Sequence, residues 1–345
     1  MYSNDKSGFK KFLLHFHEQI SESAAILKKA GIAAFPKSIN NIIYLGMGGS
    51  GIAGELLTDA LYDDLHIPLR VISSYQMPGY CNSNTLVIAS SYSGDTEEII
   101  SAVQFAEEKK AHIVTISSGG ELQKLAKKKK WPHISIPGGY PPRQALGYLF
   151  FPIYHLLGQN GFINNYNSDL SDLVMFVKKI IRMNDYPNVE GHVLSKELAH
   201  KIQGKIPIFY STAPYLRTIA RRWQNQMHES AKSLAFSNTL PEMNHNEILG
   251  WEMEGIPLNN FIVIFLENEN LLPRIQKRIE LSKKIINRYL IDVVDIYTSG
   301  TKTLEKVFSM VILGDWVSYY LALDYKKDPV EIENVNYLKS EMAKM

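Results

Sequence analysis

The sequence predicts an α/β protein built as two parallel-sheet subdomains with helices on both faces. Short apolar runs near residues 42–46, 68–73, 85–90, 111–116 and 133–136 alternate with stretches of helical spacing. That is the pattern of βαβ units whose sheet is covered on both sides. A second alternation resumes later, with strands expected at Ile206–Ser211, Phe261–Leu266 and Asp292–Tyr297, and helices at about 214–234, 273–289 and 302–324. Between them, residues 159–190 are rich in Asn, Asp, Ser and Gly, broken by one helical stretch at about 171–183, and read as a linker. The expected subdomains are therefore 1–158 and 191–345. The second order of elements echoes the first, as a duplication would.

Taken in order, residues 6–30 read as an amphipathic helix, with Phe9, Phe12, Leu13, Phe16 and Ile20 at helical spacing. His15 and His17 fall on different faces of that helix and make poor metal partners. Ile42–Leu45 is a buried-strand run leading into Gly46-Met47-Gly48-Gly49-Ser50-Gly51, and helical spacing starts at Ile52. Glycines let backbone N–H groups approach a ligand closely, and the first turn of a helix offers N–H groups to an anion. Gly48, Gly49 and Ser50 are thus a candidate anion cradle. The spacing also fits the dinucleotide pattern G-x-G-x-x-G, but the second strand ends in Ser73-Ser74-Tyr75-Gln76 without the carboxylate a ribose needs. A nucleotide-dependent enzyme is demoted accordingly.

The run Leu86–Ser90 ends in a second loop, Ser91-Tyr92-Ser93-Gly94-Asp95-Thr96, followed by a helix to about Lys109. Ser91, Ser93 and Thr96 surround a glycine at a helix N-terminus, and neutral donors of this kind suit a phosphate. The competing reading is a capped turn with Asp95 or Thr96 as the cap. Two such loops at successive strand ends favour a ligand, because α/β sheets bind at the carboxyl ends of their strands. In the second half the loop Ser211–Pro214 lacks glycine, so that half is expected to supply catalytic side chains and packing.

Composition narrows the class. The chain has 345 residues, 45% apolar, with a net charge of +2. No basic excess points to nucleic acid, and Lys127–Lys130 reads as a solvated helix end. The single cysteine, Cys81, excludes an intrachain disulfide framework and fits a reducing compartment. Charged residues interrupt the N-terminal apolar positions, so no signal-peptide core is expected. The apolar run Leu146–Leu157, about 12 residues, is too short to span a bilayer. A soluble, cytoplasmic protein is expected, without a membrane or nucleic-acid partner. The ten histidines are scattered, with no His-Glu-x-x-His spacing, and neither a metal nor another cofactor is expected.

Three further residues stand out. Arg143 follows Pro141-Pro142 at a helix start, where a cation opposes the helix dipole unless an anion compensates; a surface ion pair is the plain alternative. Glu229 lies on the helix expected to pack through Ile219, Trp223, Met227 and Leu234. It sits off that stripe beside Arg222 and Gln226, and an exposed glutamate on a polar face is the plain reading. His245, in Asn244-His245-Asn246-Glu247, has an imidazole suited to proton transfer near neutrality. The same four residues also read as a helix cap with Glu247 closing a capping box.

Gly48-Gly49-Ser50-Gly51 with Ser91–Thr96 resembles the sugar isomerase (SIS) domain. Pro141–Gly147, Leu240–Ile248 and the tail from Asp328-Pro329 to Leu338-Lys339 are similar to the bifunctional phosphoglucose/phosphomannose isomerase group. The motifs run from residue 46 to residue 339 in the family's order. The resemblance implies a two-SIS fold and an aldose–ketose isomerase acting on phosphorylated hexoses through an enediolate, and commonly a homodimer. By the same resemblance Glu229 is the base between C1 and C2, Arg143 stabilises the intermediate, His245 opens the ring and Lys339 joins the site. The family's usual Asn-Glu-Asn is replaced here by His228-Glu229-Ser230. The rivals are an SIS isomerase of another phosphosugar and a non-catalytic sugar-phosphate-binding protein.

Overall fold

The structure is a computed structural model that describes residues 5–187, 191–255, 257–269, 271–342 and 344. The last residues of the expected linker, 188–190, lie outside the described residues. The chain divides into two compact units, His15–Phe176 and Met1–Leu14 with Val177–Met345. This division stands beside the expected subdomains of 1–158 and 191–345.

The helix expected over residues 6–30 is broken in two. α1 (Lys10–Leu14) stops at His15, which leaves helical geometry at φ −97°, ψ 9°, and α2 (Phe16–Ala30) follows. The positions singled out by their spacing, Phe9, Phe12, Leu13, Phe16 and Ile20, are all buried. α2 ends at Gly31 in the left-handed conformation, which glycine takes without a Cβ penalty.

The His15–Phe176 unit continues with β1 (Asn41–Leu45), α3 (Gly48–Ala60), β2 (Leu69–Ile72), β3 (Thr85–Ser90), α4 (Glu97–Glu108), β4 (His112–Ser117), α5 (Gly120–Lys129), β5 (His133–Ser135) and α6 (Leu146–Gln159). All five strands are parallel, in the order β2-β1-β3-β4-β5. β3 is buried at every residue and β1 at all but its first. Burial on both faces explains why these strands read as continuous apolar runs rather than alternating ones. The run Leu146–Leu157 is a core helix, α6, with every one of those residues buried.

His155 on α6 carries a pH dependence. It is 2% exposed, with Nδ1 2.9 Å from the Tyr166 hydroxyl and Nε2 3.2 Å from Ser23 Oγ. Burial pushes its pKa down to about 4, against about 6.5 in an unfolded chain. Between these values the unfolded state binds the proton that the folded state refuses. The stability is therefore present above pH about 6.5 and is lost as pH falls toward about 4, by up to about 3 kcal/mol. Thermal melts from pH 7 to 4.5 should show this loss, and His155→Gln should flatten it.

The second unit contains α7 (Ser171–Asp185) from Val177 onward, then α8 (Leu194–Ile202), β6 (Ile206–Thr212), α9 (Arg217–Gln226), β7 (Phe236–Leu240), β8 (Phe261–Glu267), α10 (Pro273–Asn287), β9 (Asp292–Tyr297), α11 (Thr303–Asp324) and α12 (Glu333–Met342). Its sheet is also parallel, ordered β7-β6-β8-β9. That repeats the winding of β2-β1-β3-β4. β7 and α8 were not expected from the sequence. α11 is long and apolar enough to cross a membrane by length and composition, but 94% of its most apolar window is buried inside the protein.

The helix expected over 214–234 is shorter. α9 ends at Gln226, a wide π turn covers Met227–Ala231, and Lys232 stops the helix in the left-handed conformation at φ +56°. Ile219, Trp223 and Met227 are fully buried as expected. Leu234 lies past the stop and is exposed, which corrects the expected stripe.

Candidate active site

β1 and β3 are neighbours at the point where the strand order of their sheet reverses, which is where open α/β sheets hold ligands. Both predicted loops emerge there. Met47 is extended before α3, Gly48 takes φ +50°, and Gly48, Gly49 and Ser50 form the first turn of α3. This turn packs closely on the segment carrying Arg143. A Cβ at Gly49 would stand 3.0 Å from the Pro142 carbonyl oxygen and 3.3 Å from Arg143 Cα. Arg143 sits in a short 3₁₀ turn, Pro142–Gln144, and is 3% exposed. Arg143 is therefore not a solvent-exposed arginine: its side chain is buried and its Cα packs against the glycine-rich start of α3.

The second loop is tied to the first. Ser50 is buried, and its Oγ accepts the Tyr92 N–H at 3.1 Å. Ser91 Oγ lies 2.7 Å from Thr96 Oγ1 and accepts the Gly94 N–H at 3.1 Å, while the exposed Ser93 accepts the Asp95 N–H at 3.2 Å. Thr96 occupies the N-cap position of α4 but makes no side-chain cap bond. Asp95 Oδ1 accepts the Glu121 N–H at 2.8 Å, at the start of α5. Thr96 does not cap α4 through its side chain and Asp95 turns to α5, while the Ser91 and Thr96 hydroxyls face each other and Ser91 and Ser93 also hold N–H groups of the turn.

A third loop, Ser117-Ser118-Gly119-Gly120 after β4, escaped the sequence reading. Ser118 donates to the Tyr92 carbonyl through both its N–H, at 2.9 Å, and its hydroxyl, at 2.7 Å. The Tyr92 hydroxyl donates to Pro137 O at 3.1 Å and accepts the Tyr140 N–H at 2.8 Å. Tyr92 therefore holds together all three loops and the segment that leads to Arg143. The missed signal was a glycine pair after a third successive strand. Gly94 allows the close approach. With φ +79°, its Cβ would lie 1.9 Å from the Gly119 carbonyl oxygen. Gly94→Ala is expected to force loops two and three apart and to destabilise the protein by more than about 1 kcal/mol; a thermal melt against wild type checks it.

The other predicted residues all lie in the second unit, on three separate elements. Glu229 is half-buried on the π turn that ends α9; such turns often occur at functional positions. Its expected polar neighbours are not solvated. Arg222 and Gln226 are 2% and 1% exposed. Arg222 Nη2 donates to both Asp315 carboxylate oxygens, at 2.9 and 2.8 Å, and Gln226 Nε2 donates to Asp315 Oδ1 at 2.6 Å. Asp315 comes from α11 and is buried as well. His228 Nε2 lies 3.1 Å from the Ala235 carbonyl and 3.2 Å from its N–H, closing the chain after the turn.

His245 is exposed at the end of a short 3₁₀ turn, Glu242–His245, just beyond β7. The expected capping box is corrected. Asn246 Oδ1 caps the next turn by accepting the Glu247 N–H at 2.6 Å. The Glu247 carboxylate turns instead to the Tyr210 hydroxyl at 2.6 Å and Asn238 Nδ2 at 2.5 Å. Lys339 is exposed on α12. Among the described residues, no group of three or more His, Cys, Asp or Glu side chains is placed to hold a metal ion.

Residues 192–342 match the family model of the bacterial phospho-glucose isomerase C-terminal SIS domain. A bifunctional phosphoglucose/phosphomannose isomerase of Caldicellulosiruptor bescii is 37% identical across 95% of this chain and 97% of its own length. A D-glucosamine-6-phosphate 4-epimerase of Sulfolobus acidocaldarius is 33% identical across 86% of this chain and 88% of its own. In fold, the chain matches a hypothetical protein of Thermus thermophilus with a TM-score of 0.76 at 14% identity, covering 98% of this chain and 91% of that one. It also matches the C-terminal domain of glucosamine-fructose-6-phosphate aminotransferase from Francisella tularensis, with a TM-score of 0.69 at 12% identity, covering 95% and 99%. With two parallel sheets wound alike, and a relative this similar along nearly the whole length of both chains, the protein belongs to the bifunctional phosphoglucose/phosphomannose isomerase family of SIS-domain proteins.

Proposed function

We propose that the protein is an aldose–ketose isomerase that interconverts glucose 6-phosphate and mannose 6-phosphate with fructose 6-phosphate through an enediolate. The observation that carries this reading is the convergence of two glycine-hydroxyl loops at the β1/β3 strand ends, with buried Arg143 packed against Gly49. Backbone N–H groups at Gly48 and Gly49 and the hydroxyls of Ser50, Ser91, Ser93 and Thr96 suit a phosphate. Binding energy from that remote group orients the sugar. Glu229 takes a proton from one of the two carbons and returns it to the other, while Arg143 stabilises the oxyanion of the enediolate. His245 moves a proton at the ring oxygen during opening, and Lys339 assists it. One proton moves between the two carbons and one between their oxygens, so the carbonyl changes place, the reaction is redox-neutral overall and it requires no external oxidant.

The reading includes a homodimer acting in the cytoplasm; light scattering of the purified protein tests the dimer. A second reading is favoured by the 33% identical epimerase: action at C4 of an amino sugar phosphate. Incubating the protein with fructose 6-phosphate in EDTA, and separately with glucosamine 6-phosphate, separates the two. Formation of both glucose 6-phosphate and mannose 6-phosphate supports the isomerase. Conversion of glucosamine 6-phosphate alone replaces it with the epimerase.

A further inference from the structure

Lys232 holds a position that the helix alone does not explain. It closes the π turn in the left-handed conformation, φ 56°, ψ 37°. A side chain is disfavoured there, and glycine or asparagine is the usual occupant. Its ammonium donates to four backbone carbonyls. Two belong to its own turn, Glu229 O at 2.9 Å and Ser230 O at 3.3 Å. Two belong to the distant tail, Asp328 O at 2.9 Å and Pro329 O at 3.2 Å. A cation satisfying the last carbonyls of a helix is an ordinary C-terminal device. Bonds to a segment 96 and 97 residues away are not part of that device.

The distant partner is itself fixed. The Asp328 carboxylate accepts the Ser7 N–H at 2.9 Å, the Ser7 hydroxyl at 2.7 Å and the Val330 N–H at 2.8 Å. Burial alone would raise its pKa, but these hydrogen bonds, together with the Lys232 charge, hold it below the usual carboxylate value. Asp328 and Pro329 lie just ahead of α12, which carries Lys339. We infer that Lys232 is a positioning residue that locks the turn bearing Glu229 to the root of the C-terminal helix bearing Lys339. The inference rests on the proposed roles of those two residues. Because the ammonium has three N–H donors for four acceptors, the lock reads backbone position rather than side-chain identity.

Lys232→Gly tests this without straining the backbone, since glycine accepts the left-handed conformation; Lys232→Met serves as the second variant. Two readouts on the full-length protein are compared with wild type: amide hydrogen exchange across residues 332–342, and kcat and KM for fructose 6-phosphate. In both variants, exchange over 332–342 is expected to speed up while α9 stays protected. The expected kcat falls about 10²-fold, as for a displaced catalytic group, with KM little changed. Unchanged exchange overturns the lock, whatever the kinetics. Faster exchange with unchanged kcat overturns the positioning role and leaves a structural cap. If wild-type protein fails to isomerise any hexose phosphate, the proposed function falls, and the exchange comparison still decides whether Lys232 holds the tail.

Discussion

Glu229→Gln is expected to lower kcat about 10²–10⁴-fold while leaving the affinity for fructose 6-phosphate within a few fold. Gln has nearly the shape of Glu, and Glu229 is only half-buried, so the substitution preserves the π turn and its packing. What it removes is the ability to accept a proton. In the proposed reading, uniform binding energy comes from the phosphate end of the substrate and is untouched, so the loss should appear in kcat rather than KM. Steady-state kinetics with calorimetric binding separates the two quantities. Retained turnover would remove Glu229 from the proton transfer.

Asp315→Ala is expected to destabilise its unit by about 3–5 kcal/mol, because it leaves the Arg222 guanidinium buried without its carboxylate. Asp315, Arg222 and Gln226 are 3%, 2% and 1% exposed, and Asp315 binds both of the others. The same reasoning gives a sharper test. Replacing both members of the pair with apolar residues, Arg222→Met with Asp315→Leu, should recover much of the loss, since no charge is then stranded. Urea denaturation of the single and double variants measures this. Equal destabilisation by both would mean that the pair contributes through packing rather than charge.

How much of this was legible in the sequence depended on the range of the forces involved. The strands at 41–45, 85–90 and 112–117 were readable because burial on both faces demands unbroken apolar runs. β7, Phe236-Ser-Asn-Thr-Leu240, was missed because it is a half-exposed edge strand with a polar centre. The loops at Gly48–Ser50 and Ser91–Thr96 announced themselves through glycine and hydroxyl content. Tyr92 did not, because its role runs through backbone groups and a hydroxyl bonded far along the chain. The polar face beside Glu229 was misread for a related reason: the partner that buries Arg222 and Gln226 is Asp315, 93 and 89 residues away. Leu234 was misplaced because helical spacing was extended past the stop at Lys232, where only the backbone conformation marks the end.

The most direct test of the isomerase reading is to run the fructose 6-phosphate reaction in deuterium oxide and follow the products by proton and deuterium NMR. Proton transfer through an enediolate predicts solvent deuterium at C2 of the glucose 6-phosphate and mannose 6-phosphate formed, and none at C4. A change confined to C4, with no glucose 6-phosphate or mannose 6-phosphate formed, would contradict it.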